Sequence, residues 1–71
     1  PGREGFHLLL NGAAIAGALE LLDATGRKVG QVPVQAGQAY FDARSLPAGL
    51  YLYRVLDRSG SAKATGRWLK E

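Results

Sequence analysis

Apolar and polar residues along this chain follow a strand-like alternation, with turn residues breaking it into short segments. Phe6-His7-Leu8-Leu9-Leu10 is a short apolar run closed by the turn dipeptide Asn11-Gly12. Ala13 to Gly17 is small and apolar, and suits a loop or a weak helical turn. Ala18-Leu19-Glu20-Leu21-Leu22 reads as a second strand, with Leu19 and Leu21 on one face. Asp23-Ala24-Thr25-Gly26 then predicts a tight hairpin. The aspartate side chain accepts from amides two residues on, and the glycine supplies a positive φ.

Arg27 to Val34 is the expected return strand, with Val29, Val32 and Val34 as core candidates. Those valines fall on opposite faces of an unbroken pleat, so Gly30 suggests a bulge. Pro33 cannot donate to a ladder, so this strand is expected to be an edge or to be paired on one side there. Gln35-Ala36-Gly37 is a turn. Gln38 to Asp42 is a short strand that sends Tyr40 and Phe41 to opposite sides. Ser45-Leu46-Pro47-Ala48-Gly49 is another turn.

Leu50 to Asp57 is the strongest strand pattern. Tyr51, Tyr53 and Val55 line one face, and Leu50, Leu52, Arg54 and Leu56 the other. Apolar residues on both faces predict a central strand between two covered sides. Arg58-Ser59-Gly60 closes a hairpin into Ala62 to Lys70, which contains Gly66 and Trp68 and is expected at an edge. Six evenly spaced strands without a convincing helix predict an all-β antiparallel sandwich. Residues 1–5 read as a linker remnant and residues 6–71 as one domain.

At 71 residues without cysteine, the chain must draw its stability from one compact core, or partly from a parent or partner, because disulfides are excluded. It begins at Pro1 and has no signal-peptide pattern. It therefore reads as a piece of a longer protein, with any leader upstream. The net charge of +3 resides wholly in the last third. From Tyr51 onward Arg54, Arg58, Lys63, Arg67 and Lys70 face only Asp57 and Glu71. Lys and Arg there suit either the protection of an edge strand or an acidic partner. No nucleic-acid-binding motif accompanies them.

Candidate chemistry is sparse. The single histidine, His7, has no cysteine to pair with, and no nucleophile-elbow motif surrounds Ser45, Ser59 or Ser61. One histidine without cysteine does not make a zinc site, and no calcium-loop spacing is present. Asp23 and Asp57 open turns, a sufficient role for aspartate. The sequence thus predicts no enzyme, no catalytic residue, no metal and no cofactor. What remains are surfaces. Trp68, Tyr40, Tyr51 and Tyr53 suit stacking on sugars or filling a partner's pocket, but most are better explained as core. Trp68 is the open question on an expected edge strand, and such a strand is itself a binding device.

Three segments together resemble one family. They are Leu21-Leu22-Asp23-Ala24-Thr25-Gly26-Arg27-Lys28-Val29, Leu46-Pro47-Ala48-Gly49-Leu50-Tyr51-Leu52-Tyr53-Arg54-Val55 and the ending Arg67-Trp68-Leu69-Lys70-Glu71. In order and spacing they resemble the type A C-terminal sorting domain of the type IX secretion system of Bacteroidota. The resemblance covers about residues 6 to 71. It implies an immunoglobulin-like sandwich of about seven strands, without activity, that directs an N-terminal cargo across the outer membrane. The implied partners are an outer-membrane shuttle β-barrel, a translocon and a sortase that usually removes the tag. The implied location is the periplasm in transit, then the cell surface or the medium. Asp23 and Gly26 become turn residues, and Gly49, Tyr51, Arg54, Arg67, Trp68, Leu69 and Lys70 the recognition set. The chain departs from the family in two places. Only Pro1 matches the usual opening Pro–Asn–Pro, and Leu22 replaces the usual aromatic. A missing first strand would bare an edge and favour self-association. The alternative is a structural or carbohydrate-binding immunoglobulin-like module, such as the flagellar hook-cap type.

Overall fold

The computed structural model describes residues 4–10 and 16–71. The Asn11-Gly12 turn, the Ala13–Gly17 segment up to residue 15, and residues 1–3 of the expected linker lie outside the described residues. Six strands are present among those described: β1 (Gly5–Leu9), β2 (Gly17–Asp23), β3 (Lys28–Val34), β4 (Gln38–Asp42), β5 (Gly49–Asp57) and β6 (Ala62–Lys70). They form two antiparallel sheets, a four-stranded one in the order β3-β2-β5-β6 and a two-stranded one of β1 and β4. The all-β reading and the consecutive strands stand. Glu4 and Gly5 correct the linker boundary, because Gly5 opens β1 opposite Asp42 and the Glu4 carbonyl accepts from the Ala43 N–H at 2.7 Å.

Alternation decides what is buried. Leu19 and Leu21 of β2, Tyr51 and Val55 of β5, Val34 of β3 and Trp68 of β6 turn inward, where they meet Ala39, Phe41 and Ala43. Burying an aliphatic side chain contributes about 1.5–3 kcal/mol, so this short list carries the fold. Phe6 joins the two sheets. Its ring centroid lies 5.0 Å from Trp68, 5.7 Å from Tyr53 and 6.1 Å from Phe41, within the range of favourable aromatic pairs.

Two strand glycines make room for that aromatic layer. A Cβ at Gly30 would lie 2.4 Å from the Phe41 ring, and one at Gly66 would lie 2.3 Å from the Tyr53 hydroxyl. Any side chain at either position would displace a core ring. The expected bulge is present, since Leu21 faces Gly30 while Leu22 faces Lys28, leaving Val29 as the extra residue. The shift lets Val29, Val32 and Val34 all contribute to the core, Val34 completely and the other two in part.

The hairpins β2–β3 and β5–β6 use one device twice. Asp23 Oδ1 accepts from the Thr25 N–H at 3.0 Å, the Thr25 hydroxyl at 2.5 Å and the Arg27 N–H at 3.0 Å. Asp57 Oδ1 accepts from the Ser59 N–H at 2.9 Å, the Ser59 hydroxyl at 2.6 Å and the Ser61 N–H at 3.0 Å. Gly26 and Gly60 close the two turns at φ of 91° and 88°, a region that side chains disfavour.

Two expectations change. The strand β5 is central, between β2 and β6, but its outer face is uncovered: Leu50 is 42% and Leu52 37% exposed. The four-stranded sheet has no second layer on that side among the described residues. Tyr40, for which a core position is the preferred reading of the sequence, is 45% exposed because it takes the outer side of β4 opposite Phe41.

Candidate recognition surface

The terminal strand β6 has only β5 as a neighbour, so it is an edge. Its alternation splits the expected recognition set. Arg67 and Leu69 point outward and are exposed, whereas Trp68 and Lys70 point inward and are buried. Trp68 packs on Phe6 and on Tyr51, the latter at 6.0 Å between centroids. Lys70 is 8% exposed, and its Nζ donates to the carbonyls of Ala43 at 2.6 Å, Arg44 at 3.3 Å and Leu46. A buried ammonium must find acceptors, and Lys70 finds them in the backbone of the loop after β4. It thereby ties the end of the chain to that loop.

Tyr51 is also interior, 5% exposed, and its hydroxyl donates to the Pro47 carbonyl, closing the turn that precedes β5. Gly49 opens β5 opposite Lys70. Arg54 lies on the outer face and donates from Nε to Glu20 Oε1 at 2.6 Å. Of the expected set, then, Arg54, Arg67 and Leu69 present side chains to solvent, while Tyr51, Trp68 and Lys70 build the interior.

The outward residues meet others that sequence reasoning did not single out. Leu69 is the cross-strand partner of Leu50, Arg67 of Leu52, and Leu52 in turn of Leu22. With Leu69 at 51% exposure, these leucines form an apolar block on the open face. A shallow groove of about 410 Å³ runs beside it, lined by Leu22, Leu52, Arg54, Thr65 and Arg67. The signal was available: even-numbered leucines of the Leu50–Asp57 run alternate with the inward tyrosines, and no second layer among the described residues covers them.

Charge on this face is mostly matched. Glu20, 9% exposed, lies between Arg54 and Lys28 Nζ, the latter at 3.5 Å. The hydrogen bond from Arg54, followed by the charges of Arg54 and Lys28, holds the Glu20 carboxyl below its usual range. Arg67 has no ion pair among the described residues. The face therefore carries an excess of positive charge beside the leucines.

Other polar groups serve structure. Asp23 is held below its ordinary range chiefly by the Thr25 hydroxyl and the Arg27 amide, and Asp57 by the Ser59 hydroxyl and the Ser61 amide. Asp42 is lowered by its fork of bonds from Arg44, with Nη2 to Oδ2 at 2.8 Å. His7 packs against Tyr40 with ring centroids 4.7 Å apart and planes tilted by 53°, on the outer side of the two-stranded sheet. Among the described residues no group of three or more His, Cys, Asp or Glu side chains is placed to hold a metal ion. Among the described residues no helix is long and apolar enough to cross a membrane. Comparison with known proteins adds nothing further to these geometric facts: no family model, curated protein or solved structure matches the chain.

Proposed function

We infer that this domain is a non-catalytic address tag of the type IX sorting kind, read by protein partners and carried at the end of an exported cargo. One observation carries the reading. The terminal strand lies at a sheet edge and offers Arg67 and Leu69 outward, next to Leu50 and Leu52. An apolar patch with a cationic rim on a small domain suits a protein contact better than catalysis. The three sequence segments that resemble the family supply the partner class: a shuttle barrel, a translocon and a sortase of the outer membrane. Transit through the periplasm to the surface follows from that proposal.

The carbohydrate-binding alternative relied on Trp68 and the tyrosines as stacking platforms; Trp68 and Tyr51 lie in the core at 8% and 5% exposure, which leaves Tyr40 as the exposed ring. The experiment is a fusion of this domain to a periplasmic reporter in a host with type IX secretion. Removing residues 67–71 would also delete Trp68 and Lys70 and confuse misfolding with loss of address. The paired change Arg67→Glu and Leu69→Ser leaves the interior intact. The wild-type fusion should reach the surface or medium, and the variant should accumulate in the periplasm. Equal export of both would refute the reading.

A further inference from the structure

We propose that the outer edge of β1, which no described strand occupies, pairs with the same edge of a second copy of this chain, around a two-fold axis at His7. The argument begins with hydrogen-bond parity. Residues of β1 and β4 face each other in register from Gly5↔Asp42 to Leu9↔Gln38. Continuing that register, the Ala43 N–H donates to the Glu4 carbonyl at 2.7 Å and the Leu10 N–H to the Gly37 carbonyl at 2.8 Å. Bonded and non-bonded pairs alternate in an antiparallel ladder. The even residues Glu4, Phe6, Leu8 and Leu10 therefore bond to the β4 side. The N–H and C=O groups of Gly5, His7 and Leu9 point the other way, along an edge that no described strand occupies.

The other edges are guarded. On β3 there are Lys28, Pro33 and the Val29 bulge. On β6 there are Lys63, Arg67 and a register shift. On β4 the Gln35 bridge takes Gln38, and the Asp42–Arg44 pair marks the far end. Such features are how folded proteins discourage strand addition. The Gly5-Phe6-His7-Leu8-Leu9 strand has neither proline, lysine, acid nor bulge.

The edge is complementary to itself. A two-fold at His7 sets Gly5 against Leu9 of the second copy, His7 against its own mate and Leu9 against Gly5. Each of these pairs would exchange both backbone bonds. The intervening Phe6 and Leu8 would meet Leu8 and Phe6 of the second copy on the inner side. Both are only partly buried in the single domain, so pairing would cover them and join the two small sheets into one of four strands. Isologous contacts of this kind close at two copies.

The test uses the chain as it stands, by analytical ultracentrifugation over a concentration series and by amide hydrogen exchange. A reversible dimer is expected, with exchange at Gly5, His7 and Leu9 slowing as concentration rises while Phe6 and Leu8 stay slow throughout. His7→Pro removes an outward N–H that β4 does not use and should weaken dimerisation about tenfold or more. Leu9→Lys, which adds an edge charge, should act in the same direction and serves if the proline variant does not fold. A monomer at every concentration up to about 1 mM would overturn the proposal. So would a dimer in which His7 exchange does not depend on concentration, or one undiminished in the folded variants.

Discussion

The inward and outward halves of β6 share a backbone and do opposite work. Trp68 and Lys70 face the core and the loop after β4, where one fills the aromatic layer and the other caps carbonyls. Arg67 and Leu69, one residue away in each case, stand exposed on the open face beside Leu52 and Leu50. The difference teaches that a terminal motif containing a basic residue, a tryptophan, a leucine and a lysine is two signals interleaved at a period of two. One says where the strand belongs in the fold, and the other, on the function proposed above, is what a partner would read.

The sharpest way to break the comparison is on the inner side. Trp68→Ala should cost about 3–5 kcal/mol, a large share of the stability of a domain this size. Chemical denaturation, followed by far-ultraviolet circular dichroism, would measure it. A loss below about 1 kcal/mol would show that the ring is not part of the aromatic layer. Next comes Lys70→Met, which keeps an apolar stem but removes the donor to Ala43, Arg44 and Leu46. A cost of about 1–3 kcal/mol is expected, with faster amide exchange in residues 43–46. No change would mean that the chain end is not tied to that loop.

Acid provides a graded test. Glu20, Asp23, Asp42 and Asp57 are all held below their ordinary carboxyl values. A depressed native pKa means that the unfolded chain binds protons more readily. The stabilisation is complete above the unfolded values of about 4 and is lost as pH falls through the lower native ones. The melting temperature should stay level from neutral pH to about 5, then fall below about 4. The twin hairpins refine this further: Asp23→Asn and Asp57→Asn should each flatten part of the acid loss, by similar amounts, because both carboxylates accept from the same three kinds of donor. A flat profile down to pH 2 would contradict the paired and hydrogen-bonded state of these groups.

Much of the architecture was legible because period-two alternation and turn residues are local. The limits of Gln38–Asp42 and Ala62–Lys70, the bulge near Gly30 and the Asp23 hairpin all follow from neighbours within a few positions. What was not legible depends on contacts between distant segments. Gly66 is required by the ring of Tyr53, across the ladder from it. Lys70 is buried because carbonyls 24 to 27 residues earlier in the chain accept from it. An apolar run such as Leu50-Tyr51-Leu52-Tyr53 predicts a central strand, but it does not say whether a second layer covers the leucine side. That open side is where the surface of interest lies.

The smallest expected change in stability belongs to the outer half of β6, and it carries the largest expected change in behaviour. Arg67→Glu with Leu69→Ser should shift stability by about 1 kcal/mol or less, since it removes only the half-exposed cross-strand contacts with Leu52 and Leu50. The decisive measurement is fractionation of cells that express a reporter fused to this pair of variants, alongside wild type, in a host with type IX secretion. The account predicts a folded reporter retained in the periplasm by the variant and delivered outside by wild type. Delivery of both in equal amounts would contradict it.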